Sequence, residues 1–177
     1  MDEKIGHRFM KETYYDRMPP SDQQRRVAQP PLEGERDDAG PITELPPSSS
    51  MDPNPVSFLR LVEERRSVRS YGERPLELRE LAYLLWCTQG VKDVVADAAT
   101  FRTVPSAGAR HALDTYVVVR NVADLEPGLY WYRALRHQLA MVRGPEDPVA
   151  AATEACLGQS IVAACSVTFF WVAVPYR

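Results

Sequence analysis

Arg102–Val119 reads RTVPSAGARHALDTYVVV. A loop of small residues runs into a β-branched, aromatic strand, and this junction decides the fold class. Thr115 to Val119 is rich in Val and Tyr, the composition of a buried strand. Downstream, Gly128-Leu129-Tyr130-Trp131-Tyr132 and Gln138-Leu139-Ala140-Met141-Val142 read as a strand pair across a turn at Ala134 to His137. Val149 to Leu157 is Ala-rich and helical in pattern, and Cys165 to Val174 is long enough for a central strand. Upstream, Leu78, Leu81, Leu84, Leu85 and Thr88 share one helical face, with Glu77 as a weak cap and Gly90 at the C′ position. Residues 91–112 carry no period and read as a loop. Strands and helices mix without regular βαβ alternation, so the class is α+β.

The domain grammar begins near residue 55. Nine of the fifteen prolines lie in the first 55 residues, with Pro19-Pro20, Pro30-Pro31 and Pro46-Pro47 among them. Apolar residues are sparse from Ser21 to Pro55, too few to offset the entropy of ordering the chain. Residues 1–55 therefore read as an irregular extension and 56–177 as the folded domain. Within the extension, Ile5, Phe9 and Thr13 have helical spacing. Asn54 suits an N-cap and Pro55 a first helical turn, followed by the apolar stripe Phe58, Leu59 and Val62 to about Arg65.

Composition excludes several roles. Twenty-one Lys and Arg against twenty-four Asp and Glu give a net charge of −3, without the basic face of a nucleic-acid binder. The apolar run Ile161 to Val174 is shorter than the ~18–20 residues of a membrane span. The charged start, Met1-Asp2-Glu3-Lys4, precedes no apolar signal core. Cys87, Cys156 and Cys165 are odd in number and unpaired in spacing, which reads as buried thiols and no metal site. A cytoplasmic protein without membrane or nucleic-acid partners is expected.

Two places could carry chemistry. Arg65-Arg66-Ser67-Val68-Arg69 sets three guanidiniums and a hydroxyl where a helix ends. Guanidinium forks suit phosphate through paired, charge-assisted hydrogen bonds. The same cations also suit the plain role of offsetting a helix C-terminus. The second place is Thr103 to Ala109, where Pro105, Ser106, Ala107 and Gly108 let backbone approach a flat ligand, or form an ordinary turn. His111 follows Ser106 by five residues, but a Ser–His hydrolase would need a nucleophile elbow and a third group, and neither is found.

In order, these pieces resemble the nitroreductase family of flavoenzymes, and within it the SagB-type dehydrogenase branch. The resemblance rests on Glu64-Arg65-Arg66-Ser67-Val68-Arg69-Ser70-Tyr71, Leu84-Leu85-Trp86-Cys87-Thr88-Gln89-Gly90, Arg102 to His111, Glu126-Pro127-Gly128-Leu129-Tyr130-Trp131-Tyr132 and Leu157-Gly158-Gln159. It covers about residues 58–175, and the start at Ile5 to Phe9 with Thr13-Tyr14 is similar to the N-terminal lead of that branch. The resemblance implies a mixed sheet flanked by helices and a homodimer holding FMN at the subunit interface. It assigns Arg65, Ser67 and Arg69, with Arg66 beside them, to the FMN phosphate and ribityl chain. It assigns Pro105, Ser106, Ala107 and Gly108 to the flavin ring, typically that of the other subunit. The implied chemistry is hydride transfer at flavin N5, on a small molecule or on an azoline in a modified peptide.

Relatives continue past the strand at Thr168 to Val174 with helices that build much of the dimer interface. Here Pro175-Tyr176-Arg177 reads as the start of that next segment, so the C-terminal part of the fold is expected to be missing. The Lys–Tyr pair of peptide-oxidising members would lie there, and no catalytic residue is named. Five large apolar side chains left uncovered would forfeit ~7–15 kcal/mol, so a complementary chain is a candidate partner. The alternative is a non-catalytic family member that binds a peptide or a subunit, or a fragment without a function of its own.

Overall fold

The computed structural model describes residues 4–50, 55–96 and 98–175. The chain divides into two units, residues 1–31 and 32–177. In the first, helix α1 (Ile5–Glu12) forms where the i, i+4 spacing predicts it. Arg8 Nε donates to Glu12 Oε1 at 2.7 Å, and the Thr13 hydroxyl donates to the Phe9 carbonyl at 2.9 Å. No α1 side chain is buried.

The second unit is α+β, built on a five-stranded sheet. Its strands are β1 (Ala39–Glu44), β4 (Leu113–Val119), β5 (Gly128–Arg133), β6 (Gln138–Val142) and β7 (Val167–Ala173). Their order is β1-β6-β5-β4-β7. Every ladder is antiparallel, and the parallel pairing among the described residues is confined to the bridge Leu76–Val122. Strands β2 (Val91–Val95) and β3 (Ala99–Arg102) form a separate ribbon. Helices α2 (Phe58–Glu64), α3 (Leu78–Gln89), α4 (Pro148–Ala155) and α5 (Ser160–Ala164) complete the unit. Among the described residues no helix is long and apolar enough to cross a membrane.

The period of two sorts the sheet's side chains onto two faces. Val117, Val119, Tyr130, Tyr132 and Leu139 pack with Leu81 and Leu85 of α3. On the opposite face Trp131, Ala140 and Val142 cluster with Tyr116 and Leu129. Burial on both sides is why Val117–Val119 of β4 read as an unbroken apolar run. Helix α3 starts at the position with the weak cap because Glu77 and Glu80 form a reciprocal capping box. Its buried face runs through Leu81, Ala82, Leu85 and Gln89, and Leu84 is exposed.

Several sequence expectations are corrected. The stretch read as irregular contains β1, which pairs with β6 at Ile42–Ala140 and Thr43–Leu139. Its backbone ladder, rather than apolar burial, holds it: all but one of its residues are exposed. Pro41 falls in the register shift between Ala39 and Ile42, on an edge strand where a missing N–H is tolerated. The loop read over 91–112 contains β2, β3 and a short 3₁₀ turn at Ala107–Ala109. Strand β7 lies at the end of the sheet and not in its centre, with Trp171 and Val172 exposed. Cys87 is exposed, and Cys156 and Cys165 are half-buried. Cys87 shares the outward face of α3 with Tyr83 and Leu84, which spacing of four imposes.

The helix expected after Asn54 is α2, with Ser57 at its N-cap position making no side-chain capping hydrogen bond, and Pro55 lies outside it. Asn54 itself lies outside the described residues. Its apolar stripe faces solvent, with Phe58 80%, Leu59 64% and Val62 57% exposed. Gly90 takes φ −58° and ψ 130°, so the left-handed C′ role does not apply. Glycine is needed there for another reason: a Cβ would meet Trp86 Cδ1 and the Trp86 carbonyl oxygen, each at 2.5 Å.

Candidate functional site

The basic cluster begins where α2 ends. The Arg65 backbone N–H donates to the Leu61 carbonyl at 3.1 Å and the chain then turns extended, with Arg65 at ψ 122°. Residues 65–70 have no regular structure, and every residue from Pro55 to Pro75 is exposed. None of the guanidiniums of Arg65, Arg66 and Arg69 has an intramolecular hydrogen-bond or ion-pair partner among the described residues. By contrast, Arg60 Nε one turn earlier is paired to Glu64 Oε1 at 2.8 Å. The final turn of α2 contains no basic residue, and Arg65 stands at its C-cap, where a cation also offsets the helix dipole.

The small-residue loop is tied to the end of α3. The Thr103 N–H donates to the Gly90 carbonyl at 2.9 Å, and the Thr103 hydroxyl donates to the Trp86 carbonyl at 2.7 Å. Ser106 is extended, and the turn Ala107–Ala109 follows. Gly108 has φ +62°, which glycine adopts freely, and a Cβ there would approach nothing closer than 3.8 Å. The Ser106 hydroxyl accepts the His111 N–H at 2.8 Å, closing the turn.

A cleft of about 380 Å³ opens beside this loop. Pro105, Ser106 and His111 form one side, Cys87, Thr88 and Gln89 another, and Trp171 of β7 a third. The His111 imidazole bonds to Thr100: Nε2 lies 3.1 Å from that carbonyl, which can only accept, so Nε2 carries the proton. Burial, then the nearby Arg102 charge, hold this histidine below its ordinary pKa, partly offset by the Thr100 carbonyl. Ser106 receives a backbone proton and is not activated by the ring, which removes the hydrolase arrangement.

Behind the cleft, Arg102 Nη1 donates to Gln89 Oε1 at 3.2 Å, and Arg102 Nε to Thr100 Oγ1 at 3.1 Å. Gln89 is 7% exposed at the end of an apolar face. Gln89, Arg102 and Trp171 were not read as site residues from the sequence. A polar residue continuing the i, i+4 series Leu81–Leu85–Gln89 was the available signal. The structure thus brings Pro105 and Ser106 together with α3 and β7, and leaves Ala107 and Gly108 exposed on the rim. Arg65, Arg66, Ser67 and Arg69 stand on a separate exposed segment. Among the described residues no cluster of three His, Cys, Asp or Glu side chains could hold a metal ion.

An antiparallel sheet with α3 on one face, and a small-residue loop beside a cleft at its edge, define an α+β class. The sequence pattern of the Nitroreductase family matches residues 62–176, and the chain belongs to that family. Its relatives include a Methanocaldococcus jannaschii protein named "Putative nitroreductase MJ1384". The two are 45% identical over 83 residues, which make up 47% of this chain and 40% of that one. Two crystal structures of proteins also named as putative nitroreductases share the fold at 24% identity. That from Ralstonia eutropha has a TM-score of 0.55 and covers 82% of this chain and 64% of its own. That from Anabaena variabilis has a TM-score of 0.52 and covers 64% of this chain and 23% of its own. The match to the M. jannaschii protein thus spans about two fifths of that protein's length.

Proposed function

We infer that the chain is the FMN-binding part of a cytoplasmic oxidoreductase of the nitroreductase type. The reading has it act as a homodimer, or with a complementary chain, that holds the cofactor between subunits. The observation that carries the reading is the set of solvent-facing, unpartnered guanidiniums at Arg65, Arg66 and Arg69 within the family-matched region. Members of this family generally use flavin cofactors.

The residues present fit such a group. Two or three guanidinium forks would grip the phosphate through charge-assisted hydrogen bonds, and the Ser67 hydroxyl would reach the ribityl chain. The exposed Pro105–Gly108 backbone, with no Cβ at Gly108, offers a flat support for an aromatic ring. These two sets of residues stand on separate segments, and contributions from opposite subunits would bring them to one cofactor. When bound, the flavin supplies hydride transfer and the chain supplies binding, orientation and shelter from water. The branch reading adds a substrate class, an azoline in a modified peptide, beside the NAD(P)H-dependent reduction of nitro compounds or quinones.

The test is an FMN titration of the purified chain followed by gel filtration with absorbance detection. Flavin should co-elute with a dimer, and Arg65→Ala should weaken binding roughly 10–100-fold, as for lost hydrogen bonds to a charged group. An unchanged dissociation constant would return the cluster to a solvated surface.

A further inference from the structure

A second cavity lies behind the cleft, small and polar. It has a volume of about 10 Å³ and is walled by Glu33, Gln89, Arg102, Asp114, Thr115 and Tyr132, among others. That is close to the least volume that holds a single water. Thr115 sits in β4 with 2% of its surface exposed. Its hydroxyl has no hydrogen-bond partner among the described residues, and Thr115 lines this cavity. A buried hydroxyl without a partner is costly, and native structures rarely keep one.

The neighbouring groups offer what a water requires. Glu33 is an acceptor whose Oε1 takes the Leu135 N–H at 3.1 Å and whose Oε2 faces Arg133 Nε at 3.4 Å. Gln89 Oε1 accepts from Arg102, which leaves the Gln89 amide N–H groups as donors. A water takes two to four such partners, and an apolar cavity of this size would stay dry.

We propose that this cavity is a binding site for one structural water, held by the Thr115 hydroxyl and the polar groups around Gln89 and Glu33. Gln89 and Leu113 line both this cavity and the cleft beside Ser106. The water therefore stands directly behind Gln89 and helps to fix the Gln89–Arg102 pair. This inference is independent of the cofactor.

Two measurements on the full chain test it. A crystal structure at near-atomic resolution should show a density peak within hydrogen-bond distance of Thr115 Oγ1. Thr115→Val keeps the shape and removes the hydroxyl, so it should lower Tm by about 2–4 °C, the shift of one lost internal hydrogen bond in a chain of this size. If the hydroxyl is a true orphan, the valine variant will be as stable as the parent or more so. That result, or no density beside Thr115, overturns the proposal.

Discussion

Gly90→Ala sets two effects against each other. Gly90 has φ −58°, which alanine adopts without strain. Restricting the unfolded chain would then stabilise the variant by about 0.4–1 kcal/mol. The native state opposes this, because a Cβ would lie 2.5 Å from the Trp86 carbonyl oxygen, 2.5 Å from Trp86 Cδ1 and 2.7 Å from Cγ. Side-chain rotation could relieve the contacts with the ring but not the one with the carbonyl. That carbonyl already accepts the Gly90 N–H at 2.7 Å and the Thr103 hydroxyl at 2.7 Å. Overpacking of this kind costs about 1–3 kcal/mol, which exceeds the entropic gain over most of its range. With overpacking near about 2 kcal/mol and the entropic gain near about 0.7, the net cost is about 1.3 kcal/mol, so thermal unfolding by circular dichroism should show Tm lowered by about 3–5 °C, at about 2–4 °C per kcal/mol. The start of the small-residue loop should move as well, because Thr103 hangs from both Trp86 and Gly90. A Gly90→Ala variant as stable as the parent would refute the steric reasoning.

Leu85→Ala removes a fully buried side chain of α3 and should cost about 2–5 kcal/mol in urea unfolding, far more than Leu84→Ala on the exposed side. Asp147 caps α4 by accepting the Ala150 N–H at 2.9 Å, so Asp147→Ala should cost about 0.5–2 kcal/mol in the same assay. Burial holds both His111 and His137 below the ordinary 6.5. Between those lowered values and 6.5 the unfolded chain binds more protons than the folded one, so stability is full above that window and is lost as pH falls through it. Urea midpoints measured from neutral to mildly acidic pH should fall, and the fall should be smaller in His137→Gln.

Strands β4 to β6 and helix α3 were legible because their apolar periods are strong and their partners lie close in sequence. Strand β1 was not, because a ladder of backbone hydrogen bonds leaves no hydrophobic signature, and its proline argues against a strand. The ribbon β2–β3 was missed for a similar reason: Asp93 and Lys92 interrupt the run, and four of the five residues of β2 are exposed. For the site, the arginine cluster and the small-residue loop could be found as motifs. Gln89 left one signal, a polar residue on an apolar helical face, whereas Trp171 left none, because only the fold brings β7 and the end of α3 to one cleft. The apolar stripe of α2 predicted a helix correctly, but periodicity cannot say what covers the stripe.

The sheet order also sets the sequence of assembly. Strands β5 and β6 meet across a tight turn, whereas Ile42 of β1 pairs with Ala140, about a hundred residues away. Closing the longer loop costs about 3 kcal/mol more chain entropy than closing the turn. Leu45, which packs into the core just past β1, adds its burial only once that loop is closed. The hairpin and α3 should therefore form the folding nucleus, with β1 docking after the rate-limiting step. Substitutions in β1 should then speed unfolding and leave the folding rate almost untouched.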